Sequence, residues 1–210
     1  MPSKGIYKIY LEDSYYHLYN RGNNKQNIFV DDKDYEKFTT YMWLLINEIN
    51  SKYKGPNPQL TVHAYCLMPN HFHLLIKQSQ KNAISLFMKR FMVRYTMYFN
   101  KKHQRLGSLF QSRFKANLVD SEEYLLHLTK YIHQNPQKFW SKNLHEYPYS
   151  SYPVYINLKT NPFLITNEIL DFFQSSRKLS LKKHESYRSF VEEIATEGTT
   201  LDYLGSGYDP

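Results

Sequence analysis

Two histidines separated by a single residue, His71 and His73, form the most suggestive pair for chemistry in this sequence. The apolar residues around them predict a β-strand, in which alternate side chains point to the same face. Both imidazoles therefore face one way, and Phe72 faces the other. Two neutral imidazoles side by side can bind a divalent cation, although the pair could also be two half-buried strand histidines. Any metal here needs further ligands from elsewhere in the chain.

A second polar group lies on the helix that is predicted before Pro136. His127, Tyr131 and Asn135 follow one another at intervals of four and therefore share one helical face, with Tyr124 one turn further back. A phenol, an amide and an imidazole that face a core each need a polar partner. The alternative is that the two tyrosines are core aromatics and that Asn135 caps the end of the helix.

Together these two features suit phosphoryl transfer. A tyrosine hydroxyl has a reference pKa near 10 and is a weak nucleophile, so it attacks a phosphodiester only when the phosphate is activated and held in place. A divalent ion bound by two imidazoles and an amide oxygen would polarise the phosphate and neutralise its developing charge. Asn135, one turn from Tyr131, would connect the nucleophile's helix to this ion. The combination favours a covalent route through the tyrosine.

The pattern along the chain predicts the elements that must position these residues. In order they are a strand over 6–20, a helix from about 31, strands over 60–66 and 71–76, a helix over 82–102, a strand over 112–119 and a helix over about 120–134. This β-α-β-β-α-β-α order predicts an α+β fold, a ferredoxin-like (RRM-like) sandwich with an antiparallel sheet. The histidine pair lies on a central strand and Tyr131 on an added helix. Residues 137–165 are predicted to be loop-like, and 166–196 to form one or two helices.

The stretch MPNHFHLL at 68–75 resembles the His-hydrophobic-His block of the single-tyrosine HUH transposases, in particular the REP-associated tyrosine transposase branch. Four further stretches agree with that branch in order and approximate spacing: NRGN at 20–23, GSLFQSRFK at 107–115, YIHQNP at 131–136 and YPYSSY at 147–152. One such triplet alone is a weak signal, but five ordered blocks are specific. The resemblance covers about 6–155, which predicts a transposase domain over 1–155 and a C-terminal helical extension over 156–210.

The resemblance implies a role for each matching residue. His71 and His73 correspond to the metal ligands, Tyr131 to the nucleophile and Asn135 to the third ligand. Enzymes of this family use Mg²⁺ or Mn²⁺ and cleave single-stranded DNA beside a hairpin. They form a 5′-phosphotyrosine bond, leave a free 3′-OH and can rejoin strands by reversal. His127, one turn before Tyr131, is a candidate helper or a hydrogen-bonding neighbour.

One stretch departs from the family's pattern. After Asn135 and Pro136 the family often continues with a small or basic segment that leads to a glycine, whereas this chain has QKFW at 137–140. The departure leaves the catalytic residues unchanged, but the local DNA contacts cannot be carried over from the family.

Five basic side chains are candidates for DNA contact. Arg21 precedes a glycine in a turn, Arg90 and Arg94 share a helical face, and Arg113 and Lys115 share a predicted strand face. Each could also be an ordinary solvated surface charge. As a group they would attract a nucleic-acid backbone.

The composition agrees with a nucleic-acid partner. The 27 Lys and Arg residues against 19 Asp and Glu give a net charge of +8, and 20 Tyr with 13 Phe supply faces on which unpaired bases can stack. The single Cys66 excludes an intramolecular disulfide framework. The longest apolar run, from Tyr41 to Ile46, is far shorter than the ~20 residues of a membrane span. The N-terminus has no apolar signal segment, so we expect a soluble, cytoplasmic protein without a membrane partner.

The sequence therefore predicts a metal-dependent single-stranded DNA endonuclease and strand transferase that acts near DNA hairpins. Two alternatives stay open: a catalytically silent protein that binds hairpin DNA, and a metal-dependent nuclease that uses water. A monomer is favoured over a dimer.

Overall fold

The computed structural model describes residues 10–174 and 184–193. Its strands are β1 (Ser14–Arg21), β2 (Leu60–Met68), β3 (His71–Gln78) and β4 (Lys115–Val119). Its α-helices are α1 (Asp32–Ser51), α2 (Ala83–Lys102), α3 (Glu122–Gln134), α4 (Tyr152–Tyr155), α5 (Asn167–Gln174) and α6 (Tyr187–Glu192). Short 3₁₀ turns occupy Asn23–Lys25, Asn135–Lys138 and Leu144–Glu146.

The four strands form one antiparallel sheet in the order β2-β3-β1-β4. This order is the one that a split βαβ unit gives, so the predicted α+β, ferredoxin-like class is confirmed. The strand predicted over 6–20 starts later, because a left-handed residue, Asp13, makes a turn directly before Ser14. Residues 6–9 lie outside the described residues. The strand predicted from 112 begins at Lys115, and the loop predicted over 137–165 contains α4 and two 3₁₀ turns.

Helices α1 and α2 cover one face of the sheet. Phe72 of β3 packs against Phe38 of α1, with ring centroids 5.2 Å apart, and Phe38 also meets Phe91 of α2 at 4.6 Å. All three side chains are fully buried. Burial of large aromatic side chains is the main stabilising term for this layer.

Helix α3 covers the opposite face of the sheet. Ser121 caps its N-terminus by accepting a hydrogen bond from the backbone N–H of Tyr124, and two acidic residues in the first turn suit the helix dipole. Leu128 and Ile132 are fully buried beneath it. The helix changes to a 3₁₀ turn at Asn135, next to Pro136, whose ring nitrogen carries no hydrogen to donate.

The segment after α3 follows the free edge of β2. The backbone N–H groups of Leu67 and Ser151 donate to the carbonyls of Tyr149 and Tyr65 respectively, and further along Ile165 N–H donates to a β2 carbonyl. The described part of the C-terminal extension shares the core of the rest of the chain. A domain boundary at 155 stays a prediction. Among the described residues no helix combines the length and the apolar character that a membrane crossing requires.

A buried carboxylate, Asp34, joins the start of α1 to the end of α2. It accepts hydrogen bonds from Lys102 at 2.7 Å, His103 at 2.9 Å and the backbone N–H of Val30 at 2.9 Å. Burial alone would raise the pKa of this carboxyl, but these donors outweigh it and hold the pKa below its usual value. The charged form of Asp34 therefore stabilises the helical layer.

We expect Asp34→Asn to lower the free energy of unfolding by about 1–3 kcal/mol at pH 7, because Lys102 and the N–H of Val30 then face a neutral amide, although Lys102 keeps Asp31 as a charged partner. The depressed pKa gives stability that is present above the unfolded pKa of about 4 and is lost as the pH falls through the folded value. Urea unfolding of both proteins at pH 7 and pH 3.5 tests this. Glu36→Gln, on the exposed side of the same helix, should change little. An equal difference between the wild-type and Asp34→Asn proteins at both pH values would contradict the account.

Candidate active site

His71 and His73 point to the face of the sheet that α3 covers, and Phe72 points to the other face. The two imidazole rings lie 5.2 Å apart between centroids and are almost perpendicular. His73 is fully buried, whereas His71 is half-buried at the start of β3. The alternation predicted for this strand is therefore present, and it leaves one histidine near the surface.

The neighbouring strand β1 adds a histidine that the sequence reasoning missed. His17 is fully buried and stacks on His73 with centroids 4.9 Å apart, and its Nε2 lies 2.7 Å from His73 Nδ1. Tyr19, directly opposite His73 in the register, lies with its ring centroid 4.7 Å from that of His17 and 5.8 Å from that of His73. The alternation of polar side chains in β1 could have placed His17 on this face. Its distance along the chain from the histidine motif concealed the contact.

Tyr131 of α3 lies against this histidine cluster. Its ring centroid is 5.4 Å from that of His73 and 6.2 Å from that of His17, and both contacts are edge-on. The Tyr131 side chain is 8% exposed. The structure thus brings the predicted nucleophile and the predicted ligand pair together within one chain.

Asn135 follows Tyr131 by one helical turn and is also buried. Its Nδ2 donates a hydrogen bond of 2.8 Å to the carbonyl oxygen of Tyr131. This bond fixes the amide and leaves Oδ1 as its remaining polar atom. An oxygen ligand in this position suits a hard cation such as Mg²⁺ or Mn²⁺.

Hydrogen bonds on the Nδ1 side orient both imidazoles of the pair. Asn70 Oδ1, which can only accept, lies 2.6 Å from His71 Nδ1, so Nδ1 carries the proton and Nε2 the lone pair. His73 has the same arrangement if its Nδ1–H donates to His17 Nε2. His73 Nε2 is buried without a hydrogen-bond partner among the described residues. Such an orphaned acceptor fits a metal ligand.

Burial keeps two of these histidines, His17 and His73, neutral. Burial lowers the pKa of His17 to about 3, and burial, followed by the charges of His17, His71 and Lys138, lowers the pKa of His73 well below its usual value. Neutral imidazoles are the form that binds metal. Among the described residues no three His, Cys, Asp or Glu side chains form a metal-binding group, so an amide oxygen is needed to complete a site here.

Two of the predicted DNA contacts lie on the same face as the histidines. Arg21 is opposite His71 in the register of β1 and β3. Lys115 of β4 is opposite Tyr19, with its ammonium 5.5 Å above the Tyr19 ring. Arg113 is exposed and precedes β4, so the predicted sharing of a strand face with Lys115 is wrong.

The other predicted residues lie elsewhere. Arg90 and Arg94 are on α2, on the opposite side of the sheet, where Arg90 pairs with Glu48 at 2.9 Å and Arg94 lies 4.6 Å above the ring of Tyr41. The structure does not bring them to the histidine pair. His127 packs edge-on against Phe190 of α6 at 5.6 Å, and its role as a helper stays a prediction.

The turn after β1 fixes the edge of the site. Gly22 N–H donates to the carbonyl of Asn70, and Gln111 N–H donates to the carbonyl of Arg21, both within 3.1 Å. A Cβ on Gly22 would lie 2.0 Å from the carbonyl oxygen of Gln26, so only glycine fits. Two of the motif stretches, NRGN and GSLFQSRFK, therefore meet beside the tip of the histidine hairpin.

The site is thus a ferredoxin-like sheet that carries two histidines on an interior strand, with the helix of Tyr131 packed against them. Comparison with known proteins gives the family. Residues 10–135 match the family model described as Transposase IS200 like, and the chain belongs to that family. It is therefore a DNA transposase, and the resemblance to the REP-associated branch is confirmed.

Two similar proteins support this assignment. A candidate REP-associated tyrosine transposase of Haemophilus influenzae (strain ATCC 51907 / DSM 11121 / KW20 / Rd) is 30% identical over 131 residues, which cover 56% of this chain and 74% of the relative. A solved structure of a REP-associated tyrosine transposase bound to a REP hairpin aligns with a TM-score of 0.55 and 15% identity. That alignment covers 74% of this chain and 93% of the other, and it shows a shared fold.

We expect His17 and His73 to stay neutral in the folded protein from pH 7.5 to pH 5, because burial penalises the imidazolium form. Both histidines titrate near 6.5 once unfolded, so this neutrality removes stability as the pH falls below about 6.5. At pH 5.5 the neutral state of His17 should cost about 1.4 kcal/mol of stability, and that of His73 should lower the stability further. The ring C–H signals in NMR should be flat over this range in the folded protein and shift with a midpoint near 6.5 in denaturant. A folded-state midpoint near 6.5 for either ring would show that the cluster is open to water.

Proposed function

We propose that this transposase is a metal-dependent single-stranded DNA endonuclease and strand transferase that acts beside DNA hairpins through a phosphotyrosine on Tyr131. The observation that carries the proposal is the 5.4 Å contact between the rings of Tyr131 and His73 within one chain. The hairpin-bound structure that shares the fold, and the REP-associated relative, support hairpin DNA as the substrate class.

The residues present fit a bound Mg²⁺ or Mn²⁺. His71 and His73 would hold the ion through Nε2 and Asn135 through Oδ1. When bound, the ion supplies Lewis-acid polarisation of the scissile phosphate. The buried, unpartnered Nε2 of His73 is the observation that supports this ligand set.

Tyr131 performs the covalent step in this proposal. Its phenol oxygen forms a bond to phosphorus, and the bond from phosphorus to the 3′ oxygen breaks. The phenol gives up its proton and the departing 3′ oxygen takes one up, so no net proton is consumed. The ester that forms on Tyr131 is similar in energy to the one that breaks, which lets the 3′-OH attack in reverse and rejoin strands. The burial of the Tyr131 ring holds the phenol in one orientation.

Asn70 and His17 orient the two ligand histidines without binding the metal themselves. Each lies at hydrogen-bond distance from the Nδ1 of a ligand histidine, which directs the lone pair on Nε2 toward the metal. Arg21 and Lys115, on the same face of the sheet, would contact the DNA backbone on either side of the cut phosphate.

We further propose that the active form is a monomer. Tyr131, Asn135 and both ligand histidines come from one chain, and the first of these already contacts His73. No exchange of tyrosine helices between subunits is needed to complete the site. The place of action that we propose is the cytoplasm.

Tyr131→Phe should abolish the covalent protein–DNA adduct while leaving DNA binding intact, because the ring still fills its place against His73 and only the attacking oxygen is lost. The measurement is incubation with hairpin-flanked single-stranded DNA and Mn²⁺, followed by denaturing electrophoresis. Tyr124→Phe, which removes a hydroxyl about two turns earlier on the same helix, is the matched control and should form the adduct normally.

Three outcomes of that experiment separate the alternatives. An adduct with the Tyr131→Phe protein would contradict the assignment of the nucleophile. Cleaved DNA without an adduct in the wild type would indicate a water-using nuclease. Binding without cleavage or adduct would indicate a catalytically silent hairpin-binding protein.

His73→Ala should abolish both Mn²⁺ binding and cleavage, and a chelator should stop cleavage by the wild type. His17→Phe should weaken Mn²⁺ binding by about 10- to 100-fold, because the ring of His73 loses the partner that fixes its tautomer. Titration calorimetry and Mn²⁺ electron paramagnetic resonance measure binding directly, without reference to activity.

His63→Phe is the control for this series. His63 is also a fully buried strand histidine, on β2, but it bonds to Thr61 at 3.0 Å and does not contact the ligand pair. It should bind Mn²⁺ like the wild type once folding is confirmed by circular dichroism. Cleavage that is undiminished by a chelator would remove the metal from the mechanism.

A further inference from the structure

The turn that follows the nucleophile's helix presents two aromatic side chains shortly after Asn135. Phe139 is 48% exposed and Trp140 is partly exposed. Their backbone N–H groups donate to the carbonyl of Pro136 at 3.0 and 2.8 Å, which locks the turn directly after Asn135. This is the stretch in which the chain departs from its family's pattern, and the proposed catalysis does not use it.

A buried tyrosine, Tyr147, packs against both aromatic side chains of this turn. The Tyr147 ring meets Phe139 at 5.7 Å and Trp140 at 5.2 Å, edge-on in both cases. The indole N–H of Trp140 donates to the carbonyl of Asn143 at 3.2 Å. The two outer rings are therefore held in place before any ligand arrives, so little side-chain freedom is lost on binding.

The support anchors the turn at the outer edge of β2, the strand beside the one that carries the histidine pair. The Tyr147 hydroxyl donates to the carbonyl of Leu67 at 2.6 Å, and Leu67 of β2 is the register partner of Phe72, the residue between the two histidines. Neighbouring strands are about 4.8 Å apart. The aromatic turn is thus anchored one strand away from the proposed ligands and joined to Asn135 through a single 3₁₀ turn.

Two lysines lie on either side of Phe139 and Trp140 in the chain. The ammonium of Lys142 lies 5.8 Å from the Trp140 ring, and Lys138 is near enough for its charge to lower the pKa of His73. A carboxylate close by, Glu146, accepts a hydrogen bond from Asn143. Aromatic faces between cations match a polyanion whose bases are unpaired and free to stack. Duplex DNA offers phosphates but keeps its bases stacked on one another.

We propose that Phe139 and Trp140, flanked by Lys138 and Lys142, form a stacking subsite for an unpaired base of the DNA strand next to the phosphate that Tyr131 attacks. The choice of DNA rests on the proposed function. The subsite is distinct from the catalytic set, because none of its four side chains contributes a ligand or the nucleophile. It would select single-stranded over duplex DNA at this side of the cut.

Tryptophan fluorescence tests the proposal, because the chain has two tryptophans. Trp43→Phe in a Tyr131→Phe background leaves Trp140 as the reporter and prevents covalent capture. A random-sequence single-stranded 20-mer should quench the emission by about half at saturation, and a blunt duplex of the same sequence far less. Trp140→Phe leaves Trp43 of α1, which stacks on Phe163 and should not respond. If the Trp43→Phe protein fails to fold, the difference between the Tyr131→Phe and Tyr131→Phe/Trp140→Phe spectra gives the same signal.

Affinity gives the second measurement, again in the Tyr131→Phe background. Phe139→Ala should weaken binding of the single strand roughly 5- to 150-fold, the range found for loss of one base–aromatic stack. Phe139→Trp should retain it. Phe163→Ala is the matched control, since Phe163 is 46% exposed but lies beside Trp43. Equal affinities for Phe139→Ala and Phe163→Ala, or a Trp140 signal that does not distinguish single strand from duplex, would overturn the subsite.

Adduct formation by the wild type separates this failure from failure of the proposed function. An adduct without any change in Trp140 fluorescence supports the proposed transferase activity and contradicts the stacking subsite. No adduct and no Trp140 response removes both. Quenching by the single strand without any adduct supports the subsite in a protein that binds DNA without cutting it.

Discussion

The contact between the Tyr131 ring and the buried imidazole of His73 is the interaction on which the site depends. It exists only if α3 lies on the face of the sheet that the histidines occupy. That requires Phe72 to point into the other layer, where Phe38 and its neighbours bury it. The alternation of one strand therefore separates the layer that buries Phe72 from the layer that holds the histidine site.

A buried histidine of α3 ties this helix to two later segments of the chain. His133 is fully buried, and its two ring nitrogens lie 2.7 Å from the hydroxyls of Tyr187 and Ser151. Burial lowers the pKa of His133 to about 3, so this bridge stays neutral across the physiological range. Tyr187 belongs to α6 and Ser151 to the segment along the edge of β2. The described end of the C-terminal extension thus helps to fix the helix that carries Tyr131, a role for which the sequence offered no motif.

The local features of the sequence predicted most of the frame. Period-two alternation located His71 and His73 on one face, and helical spacing placed Asn135 one turn from Tyr131. Partners that meet only through sheet pairing could not be predicted in this way. His17 reaches His73 across 56 positions of the chain. The extent of β1 was overestimated because tyrosine-rich segments favour strands locally, whereas a left-handed residue at Asp13 ends this one.

The basic residues show why a net charge of +8 does not by itself locate a DNA path. On the side of the sheet that α1 and α2 cover, Lys102 binds Asp34, Arg90 binds Glu48 and Arg94 covers an aromatic ring. Two of these cations, Lys102 and Arg90 of α2, neutralise carboxylates of α1 and so help the two helices to pack together. On the histidine side, Arg21 and Lys115 stand over the sheet beside His71 and Tyr19. The side of the sheet on which a cation lies therefore determines whether it stabilises the fold or can contact a phosphate. That side depends on how the strands pair.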